Sequence, residues 1–383
     1  MLYLAIDQHR KQLTVNLRDE AGDVLLRKQV STEWEKVKTF FDELQKRAEP
    51  QGGYIAIVEV CGFNSWLLKL LAEQGCRETI LVQPEDRSKQ KTDERDAAKL
   101  GELLWVNRQR FQEGKPVQGI RRVHLPSATD QAARQLTCLW ERLTSHRTRT
   151  LNRIRHILNK HNLHHDMPTK GLQTKACLKW LRKLPLCTMD RLEMDALLAL
   201  WLSIDDQLAK LKVQLTQEAE RHPIATLFRS ISGMGTFNSL ALACRISDGI
   251  ERFRRGDSLA NYWGVAPGCR NSGETKQRLG GITKVGSRLA RLVLGQLVVH
   301  VLRKDAWMRD WYKKVKHRRG GKIAFVAVMR KLAVILWKMA ETGMPYTPGG
   351  PVVVQHRQEM YRENQKRREA FAAAKASEPT STT

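Results

Sequence analysis

Apolar positions in the first hundred residues run continuously or alternate, whereas from about 128 to 221 they recur every three or four. Residues 2–7 form an unbroken apolar run ending on an acid, which predicts a buried strand. Residues 12–17 alternate and predict a second strand, 20–23 a turn, and 24–30 a third strand. Ser31 or Thr32 can cap a helix that runs to about Arg47. Strands are expected over 54–60 and 78–82, and helices over 63–74 and from about Asp93 to Trp105 after a loop at 83–92. The order β-β-β-α-β-α-β-α describes an α/β domain with an initial meander and later strands joined through helices.

Residues 128–160 keep Leu136, Leu139, Leu143, Leu151, Ile154 and Leu158 near one helical face. After Pro185, Leu197, Trp201, Ile204, Leu208, Leu211 and Leu215 alternate by four and three, a heptad seam. Two long helices around a connector fit an antiparallel or intermolecular coiled coil, and equally a helical hairpin packed on its own domain. From Ile224 to Ala340 the pattern predicts short helices separated by glycines. Residues 343–350 read as a linker, and the polar end of the chain as a flexible tail. The divisions are therefore 1–106, 107–222, 223–342 and 343–383.

Charge sharpens this outline. The net charge of +26 points to a polyanionic partner. Residues 1–106 carry −2, 107–185 carry +13 and 247–331 carry +14. Two basic segments imply two phosphate-binding surfaces or one assembled from both; the alternative is a set of solvated helix faces. Seven cysteines without a CxxC pair argue for a reducing compartment and against a zinc ribbon. The chain opens on a strand pattern rather than a signal peptide, and no apolar run matches a membrane span, so a cytoplasmic protein is expected.

Candidate chemistry lies first with the acids. Asp7 closes the first strand and Glu59 lies near the end of the fourth, where side chains project into a common crevice. Asp93 and Asp96 are three apart at a helix start and share a face. Glu94 points elsewhere, and Glu85 and Asp86 read as solvated. Each acid alone also fits a strand end or helix cap. Together they form a hard-oxygen donor set for Mg²⁺ or Mn²⁺, of the kind that stabilises phosphoryl transfer.

The segments LAIDQHRKQLTV, IAIVEV and Lys91-Thr-Asp-Glu-Arg-Asp-Ala-Ala-Lys99 resemble the DEDD transposases of bacterial insertion sequences. The resemblance implies a RuvC-like, RNase H fold for the N-terminal domain, with Asp7, Glu59, Asp93 and Asp96 as its metal-binding acids. Arg10 stands where the family more often has Lys.

Farther along, Ile231-Ser-Gly-Met-Gly235 before an apolar helix reads as a helix-hairpin-helix, with Gly233 and Gly235 letting backbone amides approach a phosphate, or else as a tight turn. Ser272 sits in a Gly-rich basic loop with Arg270, Lys276, Arg278 and Lys284 close in sequence. Chemistry alone makes it a phosphate-binding or turn residue as readily as a nucleophile. The patterns G-x-x-P-x-x-x-x-S-G and R-L-G-x-I-T-K-x-G resemble the C-terminal transposase domain of the same family, which implies that Ser272 is the nucleophile that joins to DNA. Asn271 replaces a second Ser often found there.

Arg142, Arg147, Arg149, Arg153 and Arg155 give the first long helix a basic face for RNA or DNA backbone. His156, His161, His164 and His165, with Asp166 as their one acidic neighbour, read as part of that surface rather than a metal site. Trp140, Trp180, Trp263, Trp307 and Trp337 read as core.

The family resemblance implies a bridge-RNA-guided recombinase. A structured RNA would pair with donor and target DNA, the coiled coil would mediate dimerisation, and acids and serine from different protomers would combine within a tetramer. Two other classes remain open: a metal-dependent nuclease or junction resolvase in which water attacks, and a non-catalytic nucleic-acid-binding protein.

Overall fold

Seven consecutive buried residues, Leu2–Gln8, form β1 at the centre of a six-stranded mixed sheet. The computed structural model describes residues 1–84, 93–118, 120–246, 249–269 and 279–347. β2 (Gln12–Arg18) and β3 (Val24–Ser31) complete an antiparallel meander. β4 (Tyr54–Glu59) lies parallel to β1, and β5 (Cys76–Pro84) parallel to β4.

The period of two divides each central strand between two cores. Leu2, Leu4 and Ile6 pack beneath helices α1 (Trp34–Ala48) and α2 (Ser65–Glu73) with Val37, Phe41, Leu67 and Leu71. Tyr3 and Ala5 face the opposite way, into a core with Ile55, Ile57, Leu100 and Leu104. The last two belong to α3 (Asp93–Val106), which therefore covers that face.

Three details differ from the pattern-based expectation. Neither Ser31 nor Thr32 caps α1; its N-cap is Glu33, without a side-chain cap bond. Ser31 Oγ accepts from the Glu33 amide at 3.3 Å, and Thr32 Oγ1 donates to the Arg10 carbonyl at 3.1 Å, so both hydroxyls are used in the loop. The sheet also gains β6 (Ile120–Arg122), antiparallel to β5, after the short helix α4 (Arg108–Gln112). This strand carries the first compact unit beyond residue 106, to Leu125.

The second unit begins at Pro126. Ser127 caps α5 (Ala128–Lys160), accepting from the Asp130 amide at 3.1 Å. α5 runs antiparallel to α7 (Thr188–Arg221), as the ion pairs Arg147–Asp205, Arg153–Glu193 and Lys160–Asp190 show by their opposite progression. Trp201, Ile204, Leu208 and Leu215 of the heptad seam are buried, so the seam is filled by this chain's own helix. Leu139 stands at the edge of the α5 stripe and is 43% exposed, contrary to its expected inward position. The connector holds a helix that the pattern reading passed over, α6 (Lys175–Lys183), whose Cys177 and Leu181 join Leu151, Ile154, Leu158 and Trp201 in one core.

The remainder comprises α8 (Pro223–Phe228), α9 (Thr236–Ala243), α10 (Gly256–Tyr262), a hairpin of β7 (Pro267–Cys269) with β8 (Leu279–Ile282), α11 (Arg288–Lys304), α12 (Ala306–Arg319) and α13 (Gly321–Thr342). α11 and α13 are not the short helices expected, at 17 and 22 residues. α13 puts Ala324, Val328, Leu332, Leu336 and Met339 into the core at helical spacing and ends on Gly343 at φ +69°. Trp263 is fully buried, and Trp140, Trp180, Trp307 and Trp337 pack against cores as expected. Among the described residues no helix is long and apolar enough to cross a membrane. The linker from 348 and the tail lie outside the described residues.

Candidate functional site

The parallel pairing of β1 and β4 runs from Leu2↔Tyr54 to Ile6↔Val58, so one step further sets Asp7 beside Glu59 at the carboxyl edge of the sheet. Alternation puts Asp7 on the side of Tyr3 and Ala5, and Glu59 on the side of Ile55 and Ile57. That is the face covered by α3. Asp96 lies one turn before Leu100, which anchors α3 to the sheet, so it too is carried to this edge. The three acids line one cavity of about 200 Å³, together with Gln8, His9, Val60 and Cys61. Asp93 is the first residue of α3; its side chain lies outside the described residues.

Two sequence features hold this arrangement. Gly101 allows α3 to press onto β2, because a Cβ there would collide with the buried Asn16 side chain. The loop after β4 is clasped by Asn64, which is 5% exposed. Its Nδ2 donates to Gln8 Oε1 at 2.8 Å and to the Glu59 carbonyl at 3.1 Å, and its Oδ1 accepts from the Cys61 amide. Gln8, on the opposite side of β1 from Asp7, thereby ties the end of that strand to the end of β4.

Two neighbours of the acids escaped the sequence reading. His9 Nε2 lies 3.1 Å from Asp7 Oδ2. The available signal was its spacing, since residue i+2 on a strand shares a face with residue i. Thr14 stands directly across from Asp7 on β2, and its buried hydroxyl has no hydrogen-bond partner among the described residues.

The donors present are carboxylate oxygens, the type preferred by Mg²⁺ and Mn²⁺. The orphaned Thr14 hydroxyl suits a hydrated cation, because Mg²⁺ retains waters that need hydrogen-bond partners. The residues fit such an ion in chemistry. Among the described residues, no three His, Cys, Asp or Glu side chains gather as a metal-ligand set. At about 4 Å two like charges repel by roughly 4 kcal/mol at an effective dielectric near 20, so a cation between these acids would favour their close approach.

The second unit contains the other expected site. α8, a turn and α9 occupy the segment expected to be a helix-hairpin-helix, with Gly233 at φ +88° against His300 and Gly235 at the N-cap of α9. The turn is fastened from the far end of the chain: the Tyr346 amide donates to Ser230 Oγ at 2.8 Å, and its hydroxyl bonds the buried Asp305 carboxylate. Burial and that carboxylate together push the Tyr346 hydroxyl pKa far up.

Ser272, Arg270, Lys276 and Arg278 lie outside the described residues, between β7 and β8. The base of that hairpin is defined. Gly264 (φ +69°) and Gly286 (φ +83°) bring two backbones into contact, since a Cβ on Gly264 would strike Val285 and one on Gly286 would strike the Tyr262 carbonyl. The Thr283 amide donates to Ala266 O at 3.0 Å, and Arg291 Nη1 to Trp263 O at 3.1 Å. Lys284, also at positive φ, is exposed beside this junction.

The five arginines of α5 divide. Arg147 pairs with Asp205 at 3.2 Å and Arg153 with Glu193 at 2.7 Å, so both stitch the hairpin together. Arg142, Arg149 and Arg155 are exposed. The histidine cluster has a structural partner outside its own segment: His161 Nε2 lies 2.6 Å from Asp190 Oδ2 on α7, and Lys160 Nζ reaches both oxygens of that carboxylate.

Two family models match the chain. Residues 4–163 match the DEDD transposase domain of the IS110 type, and residues 225–313 match the family described as Transposase IS116/IS110/IS902. The chain is 25% identical over 311 residues to the transposase for insertion sequence element IS1111A of Coxiella burnetii, covering 76% of this chain and 79% of that one. It is 24% identical over 357 residues to a probable family 20 transposase of Pseudomonas aeruginosa, covering 90% and 98%. A putative transposase of Sinorhizobium fredii, y4pF/y4sB, is 26% identical over 318 residues, 79% of this chain and 77% of its own. An N-terminal region of the DEDD type and a C-terminal region of the second type thus occur in one polypeptide, and along both the chain is similar to the IS110/IS116/IS902 insertion-sequence transposases.

Proposed function

We propose that this transposase cuts and rejoins DNA with a divalent-metal site of Asp7, Glu59, Asp93 and Asp96 on a RuvC-like sheet, using Ser272 as nucleophile and a structured guide RNA for sequence recognition. The observation that carries the reading is the common cavity of Asp7, Glu59 and Asp96 at the carboxyl edge of the sheet. Mg²⁺ or Mn²⁺ held there supplies neutralisation of phosphate charge. The chain's own groups do the rest. Asp96 reaches the site on α3, whose first turn tolerates acids through the helix dipole. Asn64 and Gln8 fix the strand ends that present Glu59 and Asp7.

Ser272 Oγ attacks phosphorus. The Oγ–P bond forms, the P–O bond to one strand end breaks, Oγ loses its proton and the leaving oxygen gains one. The freed or incoming strand end later reverses these changes and releases the serine. Arg270, Lys276, Arg278 and Lys284 neutralise the phosphate, and the turn at Gly233 and Gly235 holds backbone nearby. Arg142, Arg149 and Arg155 add contacts to RNA or DNA. Acids and serine come from different copies of the chain in a dimer or tetramer.

The test is strand cleavage of DNA carrying the element's ends, in the presence of the structured RNA encoded beside the gene. Cleavage is expected to require Mg²⁺, and Asp96→Asn to lower its rate about a hundredfold or more, corresponding to several kcal/mol of charge stabilisation. An Asp96→Asn protein that changes only in affinity would instead mark a binding protein.

A further inference from the structure

The edge of the sheet that carries the acids also carries an exposed aromatic cluster. β1 and β4 end there, and because Gln12 pairs with Ser31, β3 ends there as well. The chain leaves β3 directly into Trp34, the first residue of α1, and leaves β4 through Phe63 into Trp66 on α2. Trp34 and Trp66 meet edge to face at 5.5 Å. Trp34 is 56% exposed and Phe63 45%. Large apolar rings so exposed are costly in water unless something covers them.

Two connections join this cluster to its surroundings. Gln8, which lines the acid cavity, donates from Nε2 to the Phe63 carbonyl at 3.2 Å. Thr32, two residues before Trp34, binds the β1–β2 turn: its amide donates to the Lys11 carbonyl and its hydroxyl to the Arg10 carbonyl. Arg10 and Lys11 are both exposed. The β1–β2 turn with its two cations and the two loops that bear the aromatic residues are thus tied to the edge that carries the acids, the acids facing the α3 side of the sheet and Trp34 and Trp66 belonging to the helices of the other side.

Aromatic faces beside cations are the chemistry that holds single strands, since unpaired bases offer a π-face that duplex stacking hides. The geometry points to Trp34 and Phe63, with Trp66 behind them, as a stacking platform for an unpaired nucleotide of the DNA strand whose phosphodiester occupies the acid site, while Arg10 and Lys11 hold the adjoining phosphates. This rests on the cleavage reading above, which brings DNA to that edge.

The test uses the full chain without divalent cation, a fluorescein-labelled oligothymidylate, a duplex of equal length and an oligouridylate. Trp34→Ala and Phe63→Ala are each expected to weaken single-stranded DNA binding about 5- to 150-fold, the range of one stacked base. Duplex affinity should be unchanged, and Trp34→Phe should restore most of the loss. Irradiation of a strand carrying 5-iododeoxyuridine should give adducts on peptides containing Trp34 or Phe63. Unchanged single-strand affinity, an equal loss on duplex, adducts only elsewhere, or preferential capture of the RNA strand would each overturn the platform. Failure of the catalytic reading would show separately, as Asp96→Asn protein that still cuts DNA.

Discussion

His9 follows the last residue of β1, two positions after Asp7, and Thr14 faces Asp7 from β2, so the acid site is set among neighbours that chain position and pairing register determine. Side chains at such an edge are positioned by the backbone beneath them. Farther along, the described backbones on either side of residues 270–278 meet at the junction of Gly264 and Gly286. Gly286→Ala puts an L-residue in the left-handed region, at about 1–2 kcal/mol, before any clash with the Tyr262 carbonyl. Its urea unfolding midpoint should fall accordingly, and an unshifted midpoint would mean that this contact is not rigid. That Asp7, Glu59 and Asp96 lie at one edge was legible in the sequence because each sits near a predictable strand or helix end. His9, Thr14 and the Gln8–Asn64 clasp were not, because ordinary polar residues gain meaning only once pairing register sets them beside Asp7 and Glu59.

The long helices show the same division at the scale of elements. Their 3.6-residue periodicity was plain, and α5 and α7 form where expected. The heptad seam could not say which helix would fill it; α5 of the same chain does. α6 and β6 were missed for different reasons. Cys177, Leu181 and Leu184 carry a short helical repeat inside what looked like connector, whereas three residues of β6 give too little pattern to read.

At the closed end of the hairpin, Lys160, then His161 and Cys187, hold the Asp190 carboxyl well below the usual carboxylate range. A depressed folded pKa contributes stability that is complete above the unfolded value, about 3.9, and is lost as pH falls through the folded one. Asp190→Asn should therefore lower the melting temperature at pH 7, with its difference from the parent shrinking below about pH 4. A difference independent of pH would show that packing, not charge, fastens this end.

For the whole molecule the relevant quantity is charge and where it is free to act. The excess over 107–185 is partly internal, because Arg147 and Arg153 face acids on α7. Each cation that meets a backbone phosphate contributes about 0.9 to the slope of log affinity against log salt on duplex DNA. Replacing Arg142, Arg149 or Arg155 by Ala should each reduce that slope by about one, and replacing Arg147 or Arg153 by less. Equal effects from all five would mean the ion pairs open on binding.

The central claim joins two halves of the chain that the sequence separates by some 180 residues: acids that organise a phosphate, and a serine that attacks it. A denaturing gel of the chain with Mg²⁺, the proposed guide RNA and labelled DNA tests this directly. The account predicts a covalent protein–DNA species whose peptide maps to Ser272 and which disappears in Ser272→Ala and in Asp96→Asn. Cleavage by Ser272→Ala at the parental rate, with no such species from either protein, would contradict it.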